Sequence, residues 1–279
     1  MPIIAPKQRI SAPATSPTTG GLFSQFAPIE DSSIRWENGV TWEDVERTDI
    51  GSIGQYNCKP GTTAGLPKVL DTPKGVTRES LEPLTLYAVF RTTPLDHTPE
   101  EAVAIAAQRL AQYEEYEVEK ALWSGVKGAG PALTKVQEWA NNSGSQDAES
   151  SWNAAEHYAR TPGIRPTFHL SRRLCGLLTA RRMIECKPDG TFRTKMGTPV
   201  VAGYGYVDKP PVIVSTGPIQ IYRGDVFTST NADGGFDKGQ NDLTAVAERQ
   251  YVIAYNYDDA YKVEVRTDPG SGIYKPRTF

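Results

Sequence analysis

The chain has 279 residues, with 30 Lys and Arg against 33 Asp and Glu, a net charge of −3 and a mean hydropathy of −0.45. That balance argues against a dedicated nucleic-acid binder, which needs several basic groups on phosphates, and no apolar run approaches the roughly 18 residues of a membrane span. Three cysteines (Cys58, Cys175 and Cys186), odd in number and far apart, fit reduced thiols of a soluble intracellular protein better than a disulfide framework, and the N-terminus carries no apolar core of signal-peptide length.

Residues 1–33 hold Pro2, Pro6, Pro13, Pro17 and Pro28 among Ser, Thr and Gly. Proline this dense blocks helix interiors and sheet ladders, so the segment reads as an extended arm, or more blandly as a disordered tail. Leu22, Phe23, Phe26 and Ile29 give its end apolar groups that can dock. Residues 34–50 admit either a hairpin turned at Asn38-Gly39 or a short helix capped by Thr41. Residues 51–80 are broken by Gly51, Gly54, Pro60, Gly61, Gly65, Pro67, Pro73 and Gly75 and cannot build a core. A loop of that length is uncommon unless functional, and it reads as a protruding two-stranded loop that meets another molecule. Residues 84–93 are apolar on both faces and read as a buried strand closed by Pro94.

Residues 98–124 form the longest regular element the sequence supports. Pro99 suits the first helical position, Thr98 caps it, Glu100 and Glu101 face the positive end of the helix dipole, and Gly125 stops it. Val103, Ala106, Leu110, Tyr113, Glu117 and Ala121 mark the expected inner face, broadened by Ala102, Ile105, Val118 and Leu122. At 1.5 Å per residue the helix is roughly 39 Å long, about twice the radius of gyration of a compact chain of this size. One helix therefore spans a domain, and the molecule is expected to be flat or elongated.

Beyond it, residues 125–130 (GVKGAG) read as a flexible exit, 131–140 and 152–160 as short helices, and 167–170 as a strand. Ser171 caps a basic amphipathic helix expected to end near Ile184. Strands are expected at 191–195, 197–201, 212–215 and 219–222, with a return starting at 223–227. A polar loop occupies 229–242, and residues 246–257 and 261–265 read as closing strands.

Chemistry-bearing residues are sparse. His97 falls in a turn, His157 on a short helix and His169 on a strand two residues before Ser171, with no orienting acid that the sequence can place. His169, Cys175 and Cys186 match no common zinc spacing and read as packed groups. Gly125–Gly130 lacks the lysine and hydroxyl of a phosphate loop, and Gly203-Tyr204-Gly205 lacks the third glycine of a dinucleotide turn; both read as flexible joints. Arg172, Arg173, Arg181 and Arg182 form a basic cluster, either a solvated helix face or an interface toward acidic groups. Trp123, Trp139 and Trp152 read as core or interface anchors.

The order of elements, together with Gly197-Thr198-Pro199-Val200-Val201, the closing Ala247-Glu248-Arg249 leading into YVIAYNY, and Asp259-Ala260 before a last strand, resembles the major capsid protein of tailed phages, the α+β fold named after phage Hong Kong ninety-seven. The resemblance covers almost all of the chain. It implies an N-terminal arm at 1–33, a linker and extended loop at 34–80, a peripheral domain with the spine helix at 81–130, an axial domain at 131–225, and a return to the peripheral domain at 226–279. It implies a homo-oligomer of hexamers and pentamers closing an icosahedral shell around double-stranded DNA, in a virion assembled in the host cytoplasm. Separate scaffolding, portal and decoration proteins would be its partners, with no catalytic residues, cofactor, metal or membrane. Lys59, Lys68 and Lys74 lie in the loop, but nothing marks them as cross-linking residues. The runner-up within the fold is an encapsulin-like compartment shell, and from another class an α+β hydrolase using His169 or Cys175.

Overall fold

The computed structural model describes residues 19–30, 40–44, 77–81, 83–125, 132–138, 147–158, 166–207, 211–231, 242–255 and 260–265. In chain order, helix α1 (Leu22–Gln25) and strand β1 (Ile29–Glu30) are followed by β2 (Val40–Asp44), β3 (Thr77–Leu81), β4 (Leu84–Thr92) and the long helix α2 (Pro99–Ser124). A 3-10 turn (Leu133–Lys135) and β5 (Gln137–Glu138) lead to α3 (Ala148–Tyr158), β6 (Thr167–Ser171) and α4 (Arg172–Ala180). Eight strands complete the chain: β7 (Ile184–Cys186), β8 (Phe192–Thr194), β9 (Pro199–Gly203), β10 (Val212–Thr216), β11 (Gln220–Arg223), β12 (Phe227–Thr230), β13 (Leu243–Ala254) and β14 (Tyr261–Glu264).

Two sheets carry the molecule. In the five-stranded one, β13 is the centre, paired antiparallel with β4 along one edge and with β12 and β11 along the other; β1 adds parallel to β11. The seven-stranded sheet runs β5-β14-β10-β6-β9-β8-β7. Its central strands β6 (TFHLS) and β10 (VIVST) are buried at every position, the pattern of strands covered on both faces. Helix α3 packs over β10 and β14, and α4 over β6, β7 and β9. The chain passes between the two sheets three times, from β4 through α2 to β5, from β10 to β11 and from β13 to β14. Strands β2 and β3 pair antiparallel from Val40↔Leu81 to Asp44↔Thr77, so the expected two-stranded loop has a paired base, while Cys58, Lys59, Lys68 and Lys74 lie outside the described residues. Thr41 pairs with Ser80 in that ribbon, so it caps no helix.

The long helix begins with a capping box. Glu101 N–H donates to Thr98 Oγ1 at 3.3 Å, and Thr98 N–H donates to Glu101 Oε2 at 3.0 Å. Its inner face matches the expected one in Ala102, Ala106, Leu110, Val118 and Leu122 and departs from it at Tyr113. Ala102, Ala106, Leu110, Val118 and Leu122 are buried with Glu114 completing the row at every fourth residue, whereas Tyr113 is 61% exposed. A four-residue row advances about 40° around the axis per step, so roughly 200° over its length. The N-terminal half therefore packs against Leu243, Ala245 and Ala247 of β13 with Leu86, Ala88 and Phe90 of β4. The C-terminal half turns Val118, Leu122 and Trp123 into a core shared with Val201, Val212, Val214, Ile221 and Tyr251 of both sheets.

Two further readings are corrected. Residues 131–140 form no α-helix where described: Leu133 and Val136 are buried, and pairing of Gln137 and Glu138 with β14 draws the chain into a strand after one tight turn. Helix α4 stops at Ala180, not Ile184, because Arg182 takes a left-handed backbone (φ 59°) and Ile184 pairs with Thr194.

Candidate functional site

The described residues converge most densely where the arm, the long helix and the Tyr204–Val207 segment meet. Glu119, fully buried on α2, accepts the Leu22 N–H and the Gly205 N–H, each at 2.9 Å. Glu115, one turn earlier, accepts the Phe23 N–H at 2.9 Å. Two carboxylates of the helix thus take up the first free amides of α1, which no earlier carbonyl can satisfy. Gly21 makes this possible: both Glu115 Oε1 and Glu119 Oε1 lie within 2.8 Å of the point where its Cβ would stand. Burial drives the Glu119 pKa up to about 7, against the pull of the Gly205 and Leu22 amides, with the Glu115 charge adding to the rise.

The rest of the arm is held by backbone groups of the seven-stranded half and by Arg172. Gln25 Nε2 donates to the carbonyls of Phe192 (2.9 Å) and Val200 (3.1 Å), Ala202 N–H donates to the Gly20 carbonyl, and Arg172 donates to the Thr19 carbonyl at 2.6 Å. Arg172 also stands over the Tyr204 ring at 4.0 Å. One member of the basic cluster is therefore committed to this junction, while Arg173, Arg181 and Arg182 are exposed. Leu22 is 0% exposed in the shared core, and burying such a side chain contributes about 1.5–3 kcal/mol. Gly203-Tyr204-Gly205, read from sequence as a flexible joint, is a close-packed contact instead. Tyr206 stacks on Trp123 at 4.6 Å, and Trp123 Nε1 donates to the Val207 carbonyl at 3.0 Å.

A second polar node joins α2 to the five-stranded sheet. Glu114 receives Arg223 (3.0 Å), Arg249 (3.0 Å) and the Tyr251 hydroxyl (2.5 Å), and Arg223 also pairs with Glu30 of β1. This carboxylate sits in the apolar four-residue row because two guanidinium groups and a phenol satisfy it there.

The residues singled out for chemistry are not brought together. His169 is buried between the Tyr206 hydroxyl at Nδ1 and Thr216 Oγ1 at Nε2, both at 3.0 Å. Thr216 donates its proton to the Gly217 carbonyl at 2.9 Å, so it accepts from His169 Nε2–H, and Nδ1 accepts from Tyr206. Burial holds the ring neutral, with its pKa pushed down to about 3, and both nitrogens are occupied. Cys175 is buried and its thiol pushed up to about 11 by burial; Cys186 is exposed. His97 meets Thr92 Oγ1 at 2.8 Å, and His157 is exposed on α3. Among the described residues, no three His, Cys, Asp or Glu groups are placed to hold a metal.

What the surface offers is contact area. A groove of about 380 Å³ between β4 and α2 is lined by Leu86, Tyr87, Arg109, Leu110, Tyr113 and Glu117. Tyr87, Tyr113, Leu95, Met196 and Phe227 are each more than 60% exposed. Of these, Tyr87 and Tyr113 lie together at that groove.

No protein-family model matches the sequence, and no curated protein matches it. Solved structures do. The capsid of a native GTA particle, computed with C5 symmetry, aligns at a TM-score of 0.64 over 95% of this chain and 96% of that one, with 15% identity. A chain from Mycobacterium phage Ogopogo aligns at 0.56 over 93% and 97%, with 10% identity. The virus-like particle of Pyrococcus furiosus aligns at 0.52 over 88% and 92%, with 9% identity.

Proposed function

We propose that this chain, which has the Hong Kong ninety-seven-type fold of phage capsid subunits, is the major capsid protein of a tailed bacteriophage. It assembles through hexamers and pentamers into an icosahedral head around double-stranded DNA. The observation that carries this reading is the near end-to-end match of its fold to a capsid chain. In this reading the five-stranded sheet and the first half of α2 make the peripheral domain, and the seven-stranded sheet makes the axial domain at capsomer centres. The loop that begins at β2 and ends at β3 reaches a neighbouring subunit. Scaffolding and portal proteins are separate partners. A near-neutral chain encloses DNA without gripping it, because a strongly basic lining would bind phosphates tightly.

The likeness to the Pyrococcus furiosus particle supports a second reading, a shell that encloses protein cargo. A hydrolase built on His169 is the reading the geometry supports least, since both ring nitrogens are already engaged. Electron microscopy of particles purified from expressing cells, with nucleic acid and protein content measured after nuclease treatment, separates these readings. Closed shells holding protected DNA support the first and shells holding a co-purifying enzyme the second. A persistent monomer with an activity lost in His169→Ala supports the third.

A further inference from the structure

The arm–helix junction is built as a lock whose strength can change. Glu119 is enclosed, and the groups that meet its carboxylate are neutral backbone amides, Leu22 from the arm and Gly205 from the Tyr204–Val207 segment. We propose that Glu119 is a proton-gated clasp that holds the arm at Leu22 and the second sheet at Gly205 to the long helix, and that gaining a proton tightens it.

The groups facing Glu119 are these. The arm contributes Leu22, Phe23, Ser24 and Gln25, none of them ionisable. The helix contributes Glu115, whose Oε1 converges on the same point beside Gly21, and Lys120, which is engaged with Glu117 at 3.2 Å. The Tyr204–Val207 segment contributes Tyr204 and Tyr206. Tyr251 and Tyr255 share the core behind them, and Arg172 of α4 is taken up by Thr19 and the Tyr204 ring. No cation is paired with Glu119 among the described residues. Enclosure without a counter-charge, beside a second carboxylate, favours the protonated form of Glu119 over the pull of the backbone amides.

The sign follows from linkage. A docked arm keeps Glu119 enclosed and proton-retaining, with a pKa near 7; an undocked arm leaves it in water with an ordinary value of 4.5. Between those values the docked form binds more protons, so docking strengthens as pH falls from 7 toward 4.5 and is weakest above 7. The clasp concerns one subunit and holds whatever the shell encloses.

Hydrogen exchange of the full-length purified protein tests this, with rates corrected for intrinsic pH dependence. Protection of the Leu22 and Phe23 amides should fall by roughly 100-fold between pH 5 and pH 8, with the mid-helix amide of Leu110 as the reference that stays constant. Glu119→Gln, neutral throughout, should remove the slope. Gly21→Ala, which drives a methyl group into both carboxylates, should expose the arm at every pH and also remove it. If one variant does not fold, as judged by circular dichroism, the wild-type slope and the other variant decide. A flat or rising wild-type profile, or a wild-type slope retained in either folded variant, overturns the clasp.

Discussion

A Cβ on Gly205 would stand 2.4 Å from the Tyr116 carbonyl oxygen and 2.5 Å from the Lys120 nitrogen. Both are backbone atoms of the long helix, so neither can swing away, and the segment that follows β9 lies directly on the helix backbone at this residue. Gly205→Ala should therefore cost about 1–3 kcal/mol or more by overpacking, read as a lower denaturant midpoint. Gly176→Ala is the contrast. That glycine lies inside α4 with nothing within 4 Å of its missing Cβ, and Ala there should stabilise by about 0.5–1 kcal/mol.

Glu114 holds two arginines and a phenol with its side chain only 11% exposed. Glu114→Gln keeps the shape but leaves Arg223 and Arg249 without their shared counter-charge. The loss should be about 3 kcal/mol, the scale for breaking a largely enclosed pair, measured by equilibrium unfolding. Glu114→Gln combined with Arg249→Met should recover part of that loss.

How much of this was readable beforehand varies with the kind of interaction. The long helix was legible to the residue because Thr98, Pro99, Glu101 and Gly125 are local signals whose partners lie within four positions. The central strand β13 was legible as alternating apolar residues. The role of Glu115 and Glu119 was not, because their partners Leu22, Phe23 and Gly205 lie some 90 residues away. One signal was present: Glu114 occupies an otherwise apolar four-residue row, and a charge in such a row implies a buried counter-group. Tyr113 was assigned inward for the opposite reason, since its apolar ring fits a straight stripe while the real contact face winds around the helix. The Gly203-Tyr204-Gly205 motif misled because glycine marks close approach as readily as it marks freedom.

Leu22 supports a prediction about where the arm begins to matter. It is buried among helix and strand residues of both sheets, so Leu22→Ala should cost about 2–5 kcal/mol in thermal or chemical unfolding. Removing residues 1–18 should leave the junction intact, whereas removing 1–26 should destabilise the subunit itself. Equal stability of the two truncated chains would contradict this.

His169 gives a pH dependence. Its ring is held neutral in the fold, with a pKa near 3, against 6.5 in a solvated chain, so below 6.5 the unfolded state binds more protons. Its contribution is therefore complete above about 6.5 and is lost as pH falls toward 3, by about 1.4 kcal/mol for each pH unit. Glu119 acts with the opposite sign between 4.5 and about 7, so the His169 effect is read from the difference between wild type and His169→Gln. The stability advantage of wild type over the variant should shrink on acidification, and a pH-independent difference would contradict the neutral ring.

The central claim is that this fold exists to close a shell. Electron microscopy of the full-length protein co-expressed with the neighbouring genes of its source genome tests it most directly. The account predicts uniform closed icosahedral particles whose reconstruction places this chain in both six-fold and five-fold capsomers. Monomers or open aggregates under all conditions, with no closed particles, would contradict it.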